Sequence, residues 1–193
     1  MHLSRKNVVV FLKGGLGNQL FQYATAKSLA LRLDVGLTLD LSWFLDNKSQ
    51  HTQYTLDRFK VDEKIFLPSK YIPRKVRLVL YKTIKFLSLL GFTLPHLQEV
   101  DFKYNSKLLD TDNPVILDGY WQNDIYFKEY RSEITRLIQL NAPMNLTDSN
   151  MLGRIQGSNS ICLHIRRGDY ITNSNASQVH GTCSKEYYLK AIK

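Results

Sequence analysis

Two adjacent arginines near the end of the chain have the side chains best suited to bind an anionic ligand. Arg166 and Arg167 follow a β-prone run, Ser160 to Ile165. Ligands of open α/β sheets bind at the carboxyl ends of strands, and a guanidinium group suits a diphosphate because it donates two parallel hydrogen bonds and keeps its charge. We therefore interpret Arg166 as an anion-binding residue. The alternative is a surface ion pair between Arg167 and Asp169 with no ligand.

A glycine turn near the start of the chain is the second candidate site. Gly14, Gly15 and Gly17 separate a β-prone run from a predicted helix, whose first N–H groups would favour an anion or a polar ligand. The turn is not a P-loop, because no lysine directly follows the last glycine. It matches a dinucleotide fingerprint only in part: Asp40 lies at a suitable distance, but Leu20 replaces the third glycine. A ligand-binding turn and a simple tight turn both remain open.

Other polar and aromatic residues have simpler explanations. We predict no metal site, because no zinc pattern matches the spacing of the candidate ligands His164, Asp169, His180 and Cys183. Cys162 falls within the β-prone run and is expected in the core. Tyr120 and Trp121 could stack on a sugar ring, although aromatic residues after a strand more often pack in the core.

The elements that would position these residues predict an α/β protein. The runs Val8 to Leu12 and Val35 to Leu39 flank a predicted helix that ends near Leu33, and this βαβ unit implies a parallel sheet. The helix is amphipathic, and its polar side is expected to carry Gln22, Thr25, Ser28 and Arg32. Lys27 falls within the apolar side, so it either extends its amine to water or points into a polar site.

A basic amphipathic helix is predicted from Tyr71 to Leu90. Lys70, Arg74, Lys82 and Lys85 lie away from its apolar face, which comprises Ile72, Val76, Val79, Leu80, Ile84, Leu87 and Leu90. Two interpretations remain open. The helix packs this face on the first domain, or it rests on an anionic membrane surface.

The rest of the chain predicts a second domain. A strand is predicted from Val115 to Leu117 and a helix from Asp124 to Leu140, with Asp124 as its N-cap. A segment rich in Asn, Ser and Gly, Asn141 to Asn159, indicates a domain boundary. We therefore expect one domain in residues 1–150 and the start of another in residues 151–193, which ends with a helix capped by Ser184.

The composition excludes several classes of protein. Apolar residues make up 44% and charged residues 22% of the 193 residues, which excludes general disorder. The two cysteines are too few for a disulfide framework and suit a reducing compartment. Without a secretory signal or an apolar stretch of roughly 18 residues, the chain is expected to be cytoplasmic, with peripheral contact at the inner membrane face as an option. The net charge of +9 favours anionic partners, although no nucleic-acid-binding module is evident.

Four strings of residues resemble glycosyltransferase family 11, the α-1,2-fucosyltransferases. They are GGLGNQLFQYATAKSLA at Gly14–Ala30, LDGYWQNDIYF at Leu117–Phe127, HIRRGDY at His164–Tyr170 and HGTCSKEYY at His180–Tyr188. The resemblance implies a GT-B type fold with a Rossmann-like, acceptor-side N-terminal domain and the beginning of a second Rossmann-like domain that binds GDP-fucose. It also implies inverting transfer of fucose to the 2-hydroxyl of a galactoside, with no metal ion or cofactor.

The resemblance assigns roles to particular residues. Arg166 would bind the donor diphosphate, supported by Arg167, Asp169 and His164. The residues expected to face the cleft between the domains are Gly15, Gly17, Asn18 and Gln19. No general base can be named. Because the family pattern continues past residue 193, residues 1–193 alone are expected to bind GDP poorly and to be nearly inactive. The alternative function is a non-catalytic nucleotide- or dinucleotide-binding domain.

Overall fold

The computed structural model describes residues 7–46, 53–68, 71–91, 94–101, 103–165 and 182–192. Within these ranges the strands are β1 (Asn7–Phe11), β2 (Gly36–Asp40), β3 (Lys64–Phe66), β4 (His96–Gln98) and β5 (Ile116–Asp118). The α-helices are α1 (Leu16–Arg32), α2 (Ser42–Asp46), α3 (Arg74–Leu89), α4 (Arg131–Leu137), α5 (Leu146–Gln156) and α6 (Lys185–Ile192). Short 3₁₀ turns occupy Leu56–Arg58, Ser106–Leu108 and Asp124–Phe127.

The five strands form one parallel sheet in the order β3-β2-β1-β5-β4. β1 is central because its valines, Val8, Val9 and Val10, are buried on both faces, as is typical of an inner parallel strand. It pairs with β2 along its whole length and with β5 at Val9 and Val10. The predicted α/β class and parallel βαβ unit are therefore confirmed.

The two faces of the sheet are covered by different helices. Val10 of β1 and Leu39 of β2 face α1, where they share the main core with Tyr23. On the other face, Val9 and Ile116 form a smaller cluster, against which Ile84 of α3 packs. Successive residues of each strand thus point to opposite faces of the sheet and pack against different helices.

α1 is covered on both sides, so the prediction that its polar side faces water is wrong for three of the four residues assigned to that side. Gln22, Thr25 and Ser28 are all buried. The sequence pattern could not show that the 3₁₀ turn Asp124–Phe127 and α4 also contact this helix. Lys27 donates to Glu63 at 2.7 Å, so its amine meets a carboxylate at the edge of the core.

α3 forms as predicted, but only part of its predicted apolar face packs on the sheet, and Tyr81 packs beside that part. Tyr81 and Ile84 are the half-buried residues nearest the sheet, whereas Val76, Val79 and Leu80 of the predicted packing face are exposed. The Tyr81 hydroxyl donates to Asp118 of β5 at 2.6 Å, and this bond fixes the rotation of the helix. The same bond explains the difference, because it turns Tyr81 toward the half-buried carboxylate of Asp118.

Several short elements differ from the sequence prediction. The helix predicted from Asp124 to Leu140 is split into a 3₁₀ turn and α4, and the turn is capped by Asn123, which accepts from the N–H of Ile125 at 3.0 Å. β3 and β4 were not predicted, since three residues are too few to show a period. α5 forms inside the segment read as a boundary, with Asn145 accepting from the N–H of Asp148 at 2.8 Å.

Residues 1–143 and 144–193 form two separate compact units. In the second unit, residues 160–165 are exposed and are not a strand, because a strand needs a neighbour for its backbone groups. Cys162 is therefore exposed, not in the core. α6 begins as predicted, with the Ser184 hydroxyl oxygen accepting from the N–H of Tyr187 at 3.3 Å. No helix in the described ranges combines the length and the apolar character needed to cross a bilayer.

Candidate functional site

The candidate site lies at the carboxyl ends of β1 and β5. The sheet reverses its strand order between these two strands, and open α/β sheets bind ligands at such a reversal. The glycine turn follows β1 directly, and Asp118 ends β5. Lys13 directly precedes the glycine turn, and its Nζ lies 2.9 Å from Oδ1 of Asp118.

The carboxylate of Asp118 is the central charged group at this edge of the sheet. It accepts from Lys13 Nζ and from the Tyr81 hydroxyl, while His96 Nε2 lies 3.6 Å away. Burial alone would raise the pKa of Asp118, but His96, Tyr81 and Lys13 together hold it well below its usual range. The carboxylate therefore stays charged at neutral pH and positions Lys13, and it is a poor proton acceptor.

The amide of Gln22 ties the two strand ends together. Its Oε1 accepts from the backbone N–H of Lys13 at 3.0 Å, and its Nε2 donates to the carbonyl of Gly119 at 3.1 Å. The Lys13 ammonium lies 5.0 Å from the centre of the Tyr120 ring, within the range of a cation–π contact. The Lys13 side chain keeps 23% of its surface exposed, so a ligand in the crevice can reach its charge.

The glycine turn leaves the start of α1 open. Gly14 has φ +79°, and a Cβ there would lie 2.4 Å from Asn18 Nδ2, so only glycine fits. Gly15 occupies the N-cap position without a side-chain hydrogen bond, and the first turn of α1 carries no acidic residue. Its N–H groups and the helix dipole are therefore available to an anion or a polar ligand. Around Gly17 there is open space, since an added Cβ would meet no atom within 4 Å.

Asn18 and Gln19 differ in burial and in the groups to which they hydrogen-bond. Asn18 is half-buried at the crevice, where its Oδ1 accepts from Gln122 Nε2 at 2.6 Å. Gln19 is fully buried, so the expectation that it faces a cleft is wrong. Its Nε2 donates to the carbonyls of Gly14 at 3.0 Å and Gln53 at 2.8 Å, and its Oε1 accepts from the N–H of Thr55 at 3.0 Å. Gln19 thus holds the glycine turn from beneath.

Tyr120 and Trp121 are positioned by one carboxylate. Glu99 accepts from the N–H of Tyr120 at 2.6 Å and from that of Trp121 at 3.2 Å. Trp121 is fully buried and stacks edge-on against Tyr126, so the packing interpretation is confirmed for it. Tyr120 instead lies beside Lys13 at the crevice.

The residues predicted for donor binding are described only in part. Arg166, Arg167 and Asp169 lie outside the described residues, as does His180. His164 is exposed in the second unit. Among the described residues, no group of three His, Cys, Asp or Glu side chains could hold a metal ion.

The sequence analysis missed the residues that meet at the Asp118 carboxylate, namely Lys13, Tyr81, His96 and Asp118 itself. Lys13 and Asp118 could have been flagged, because each stands where a predicted strand meets a glycine turn. Tyr81 and His96 carried no such signal. They belong to a helix and an edge strand whose place on the sheet is set by tertiary packing.

Asp40 argues against the dinucleotide alternative. It ends β2, where such proteins place the acid that binds ribose, but its side chain is 6% exposed and accepts from the N–H of Ser42 at 2.8 Å and from the Ser42 hydroxyl. Burial raises the pKa of Asp40 to about 6, against the opposing effect of the Ser42 hydrogen bonds. The carboxyl group is thus part of the core and does not face a ligand.

The substitution Asp40→Asn is expected to stabilise the protein most at alkaline pH. Because the folded-state pKa is raised, the stability that protonated Asp40 contributes is present below its unfolded pKa and is lost as the pH rises through about 6. The asparagine side chain stays neutral and can still accept from Ser42. Urea unfolding should show a gain of up to about 3 kcal/mol at pH ~8 relative to pH ~4. An equal effect of the substitution at both pH values would contradict the raised pKa.

Comparison with known proteins gives a consistent result along the chain. The profile of Glycosyl transferase family 11 matches residues 7–193. The chain is 32% identical over 187 residues to a protein of Escherichia coli named alpha-1,2-colitosyltransferase, covering 96% of this chain and 63% of the relative. It is 37% identical over 199 residues to the O-antigen biosynthesis glycosyltransferase WbnK of Escherichia coli, covering 94% of this chain and 66% of the relative. The chain thus spans less than two thirds of either relative's length. No solved structure matches it significantly.

Proposed function

The chain belongs to glycosyl transferase family 11, and on that premise we propose that it is part of a galactoside α-1,2-fucosyltransferase, which transfers L-fucose from GDP-fucose to the 2-hydroxyl of a galactose-containing glycan. Membership confirms the resemblance that the four sequence strings indicate. The observation that carries the proposal is the continuous family match over residues 7–193, which includes both the glycine turn and the arginine pair.

The names of the relatives support the choice of reaction. One is named for transfer of colitose through an α-1,2 linkage, and the other for glycosyl transfer in O-antigen biosynthesis. Colitose is fucose without its 3-hydroxyl group, so a pocket for one sugar differs from a pocket for the other by a single polar contact. The identity of the donor sugar is therefore tested directly, by offering both GDP-fucose and GDP-colitose.

Arg166 would stabilise the departing diphosphate. As the bond from the sugar to phosphate breaks, the sugar gains oxocarbenium character and negative charge grows on the GDP oxygens. A fixed guanidinium stabilises that charge more in the transition state than in the ground state. Arg167, Asp169 and His164 would support the same donor site. With a cation built into the chain, inverting displacement can proceed without a metal ion.

The crevice at β1 and β5 would form the acceptor side. Lys13 and Asn18 present polar groups at the strand ends, and the open N–H groups of the first turn of α1 lie next to them at Gly15 and Gly17. Asp118 is unsuited as the general base, because it is held by Lys13 and Tyr81 and its pKa is lowered. The base that deprotonates the acceptor hydroxyl must be another group.

In a GT-B type arrangement, residues 1–150 would be the acceptor-side domain. Their parallel sheet and glycine turn suit that role. Residues 151–193 would begin the donor domain, because the arginine pair lies within them. The acceptor would thus bind to residues 1–150, and the donor would bind to the domain that begins at residue 151.

The test is a transfer assay on an enzyme that contains this chain. GDP-fucose and GDP-colitose are offered with a galactoside or its 2-deoxy analogue, with and without EDTA, and the product linkage is read by NMR. We expect an α-1,2-fucoside from GDP-fucose, no product from the 2-deoxy acceptor, and no effect of EDTA. Transfer from GDP-colitose alone would overturn the donor, transfer to the 2-deoxy acceptor would overturn the linkage, and loss of activity with EDTA would overturn metal independence.

A further inference from the structure

The side of α3 that faces away from the sheet is apolar and exposed. Val76, Val79 and Phe86 of α3, together with its C-cap residue Leu90, lie opposite Tyr81 at the helical period of 3.6 residues. Their exposed fractions are 46%, 61%, 60% and 54%. We call these four residues the outer face of α3. Exposed apolar side chains gathered on one side of a helix offer a surface to a partner.

The charge of α3 is of one sign. Residues 74–89 contain no Asp or Glu, and the charged residues among them are Arg74, Lys75, Arg77, Lys82 and Lys85. Arg77 pairs with Asp46, and Lys85 donates to Gln98 at 2.6 Å, so these two side chains are held by the domain. Lys75 and Lys82 lie beside the outer face, and neither forms an ion pair with any described residue.

Apolar residues bordered by lysines match one kind of partner better than others. An anionic lipid surface offers phosphate groups at its edge and an apolar layer just beneath, and lysines can reach the phosphates while their stems cover apolar surface. Pairing with a second copy of the chain through this face would add the positive charge of a second α3 and no negative charge, so the like charges would repel. At 16 residues with five basic side chains, α3 is suited to lie in the plane of the surface and not to span it.

We propose that the outer face of α3 rests on an anionic membrane surface. In this arrangement Val79 and Phe86 enter the boundary between headgroups and acyl chains, and Lys75 and Lys82 contact lipid phosphates. The hydrogen bond from Tyr81 to Asp118 holds the helix in the rotation that presents this face outward. The contact does not require the transfer reaction, so it can be measured without sugar substrates.

The experiment is co-sedimentation of the protein with vesicles at low and high salt. Vesicles of phosphatidylcholine containing phosphatidylglycerol should bind the protein, salt should release it, and pure phosphatidylcholine should bind it weakly. The double substitution Lys75→Glu, Lys82→Glu should weaken binding at least about tenfold, since the loss of each basic residue near an anionic surface weakens binding about fivefold. Val79→Ser with Phe86→Ser should weaken it as well.

The matched control is Lys64→Glu with Lys107→Glu, which makes the same charge change at exposed positions on β3 and a 3₁₀ turn. It should retain most of the binding, and thermal melts should show that all variants fold. Equal loss in the control, equal binding to neutral vesicles, or no binding at low salt would overturn the proposal. So would self-association in sedimentation velocity that Phe86→Ser abolishes, because the face would then contact a second copy.

Discussion

In an enzyme that contains this chain, Arg166→Lys is expected to lower kcat by about 100- to 1000-fold. Lysine keeps the positive charge but cannot donate two parallel hydrogen bonds to a diphosphate, so it stabilises the growing charge on the leaving group less well. If Arg166 acts mainly in the transition state, kcat falls and KM changes little. Initial rates over a range of GDP-fucose concentrations measure both quantities.

Arg154→Lys is the matched control for this experiment. Arg154 is an exposed arginine in the last turn of α5, only twelve positions upstream of Arg166. The same change there should leave kcat unaltered. Wild-type kcat in Arg166→Lys would remove Arg166 from the mechanism, and an equal loss in both variants would show that the effect comes from folding.

The centre of the fold could be predicted because its signals are local. The valine run of β1, the glycine turn and the apolar period of α1 stand next to one another in the chain, and together they predict a parallel βαβ unit. β3 and β4 have three residues each and lie at the edges of the sheet, so nothing in their sequence distinguishes them from loops.

The candidate site could be predicted only on one side. The residue types of the glycine turn identify it in the sequence, but Asp118, the partner of Lys13, is 105 positions away. Lys13 and Asp118 meet because β5 pairs with β1, and strand order is a tertiary property. α3 shows the same limit, since its period predicts a helix but its contact with Asp118 decides which face is covered.

Buried amides in α1 were also beyond the sequence pattern. Periodicity places Gln22 on the polar side of the helix, and the family resemblance places Gln19 at a cleft, so neither amide was expected in the core. In the folded protein each is fully buried, and each binds backbone groups of the segments around the crevice. Their role is therefore to hold the loops around the crevice in place, and replacing them should lower the free energy of unfolding.

Gln19→Leu is expected to lower the free energy of unfolding by about 2 to 4 kcal/mol. Leucine is close in size, so it leaves little cavity, but it cannot pair with the carbonyls of Gly14 and Gln53 or with the N–H of Thr55. An unpaired buried polar group costs roughly 1 to 3 kcal/mol, and the exposed position of Gln53 lets water replace part of that loss. Urea unfolding followed by circular dichroism measures the change.

Gly17→Ala, two positions away in the same turn of α1, is the matched control. An added Cβ at Gly17 meets no atom within 4 Å, and alanine favours a helix, so this variant should be unchanged or up to about 1 kcal/mol more stable. A Gln19→Leu variant as stable as Gly17→Ala would show that the hydrogen bonds of Gln19 do not hold the glycine turn. If instead Gly17→Ala keeps its stability and loses transfer activity, the open space beside Gly17 is where a substrate approaches the backbone.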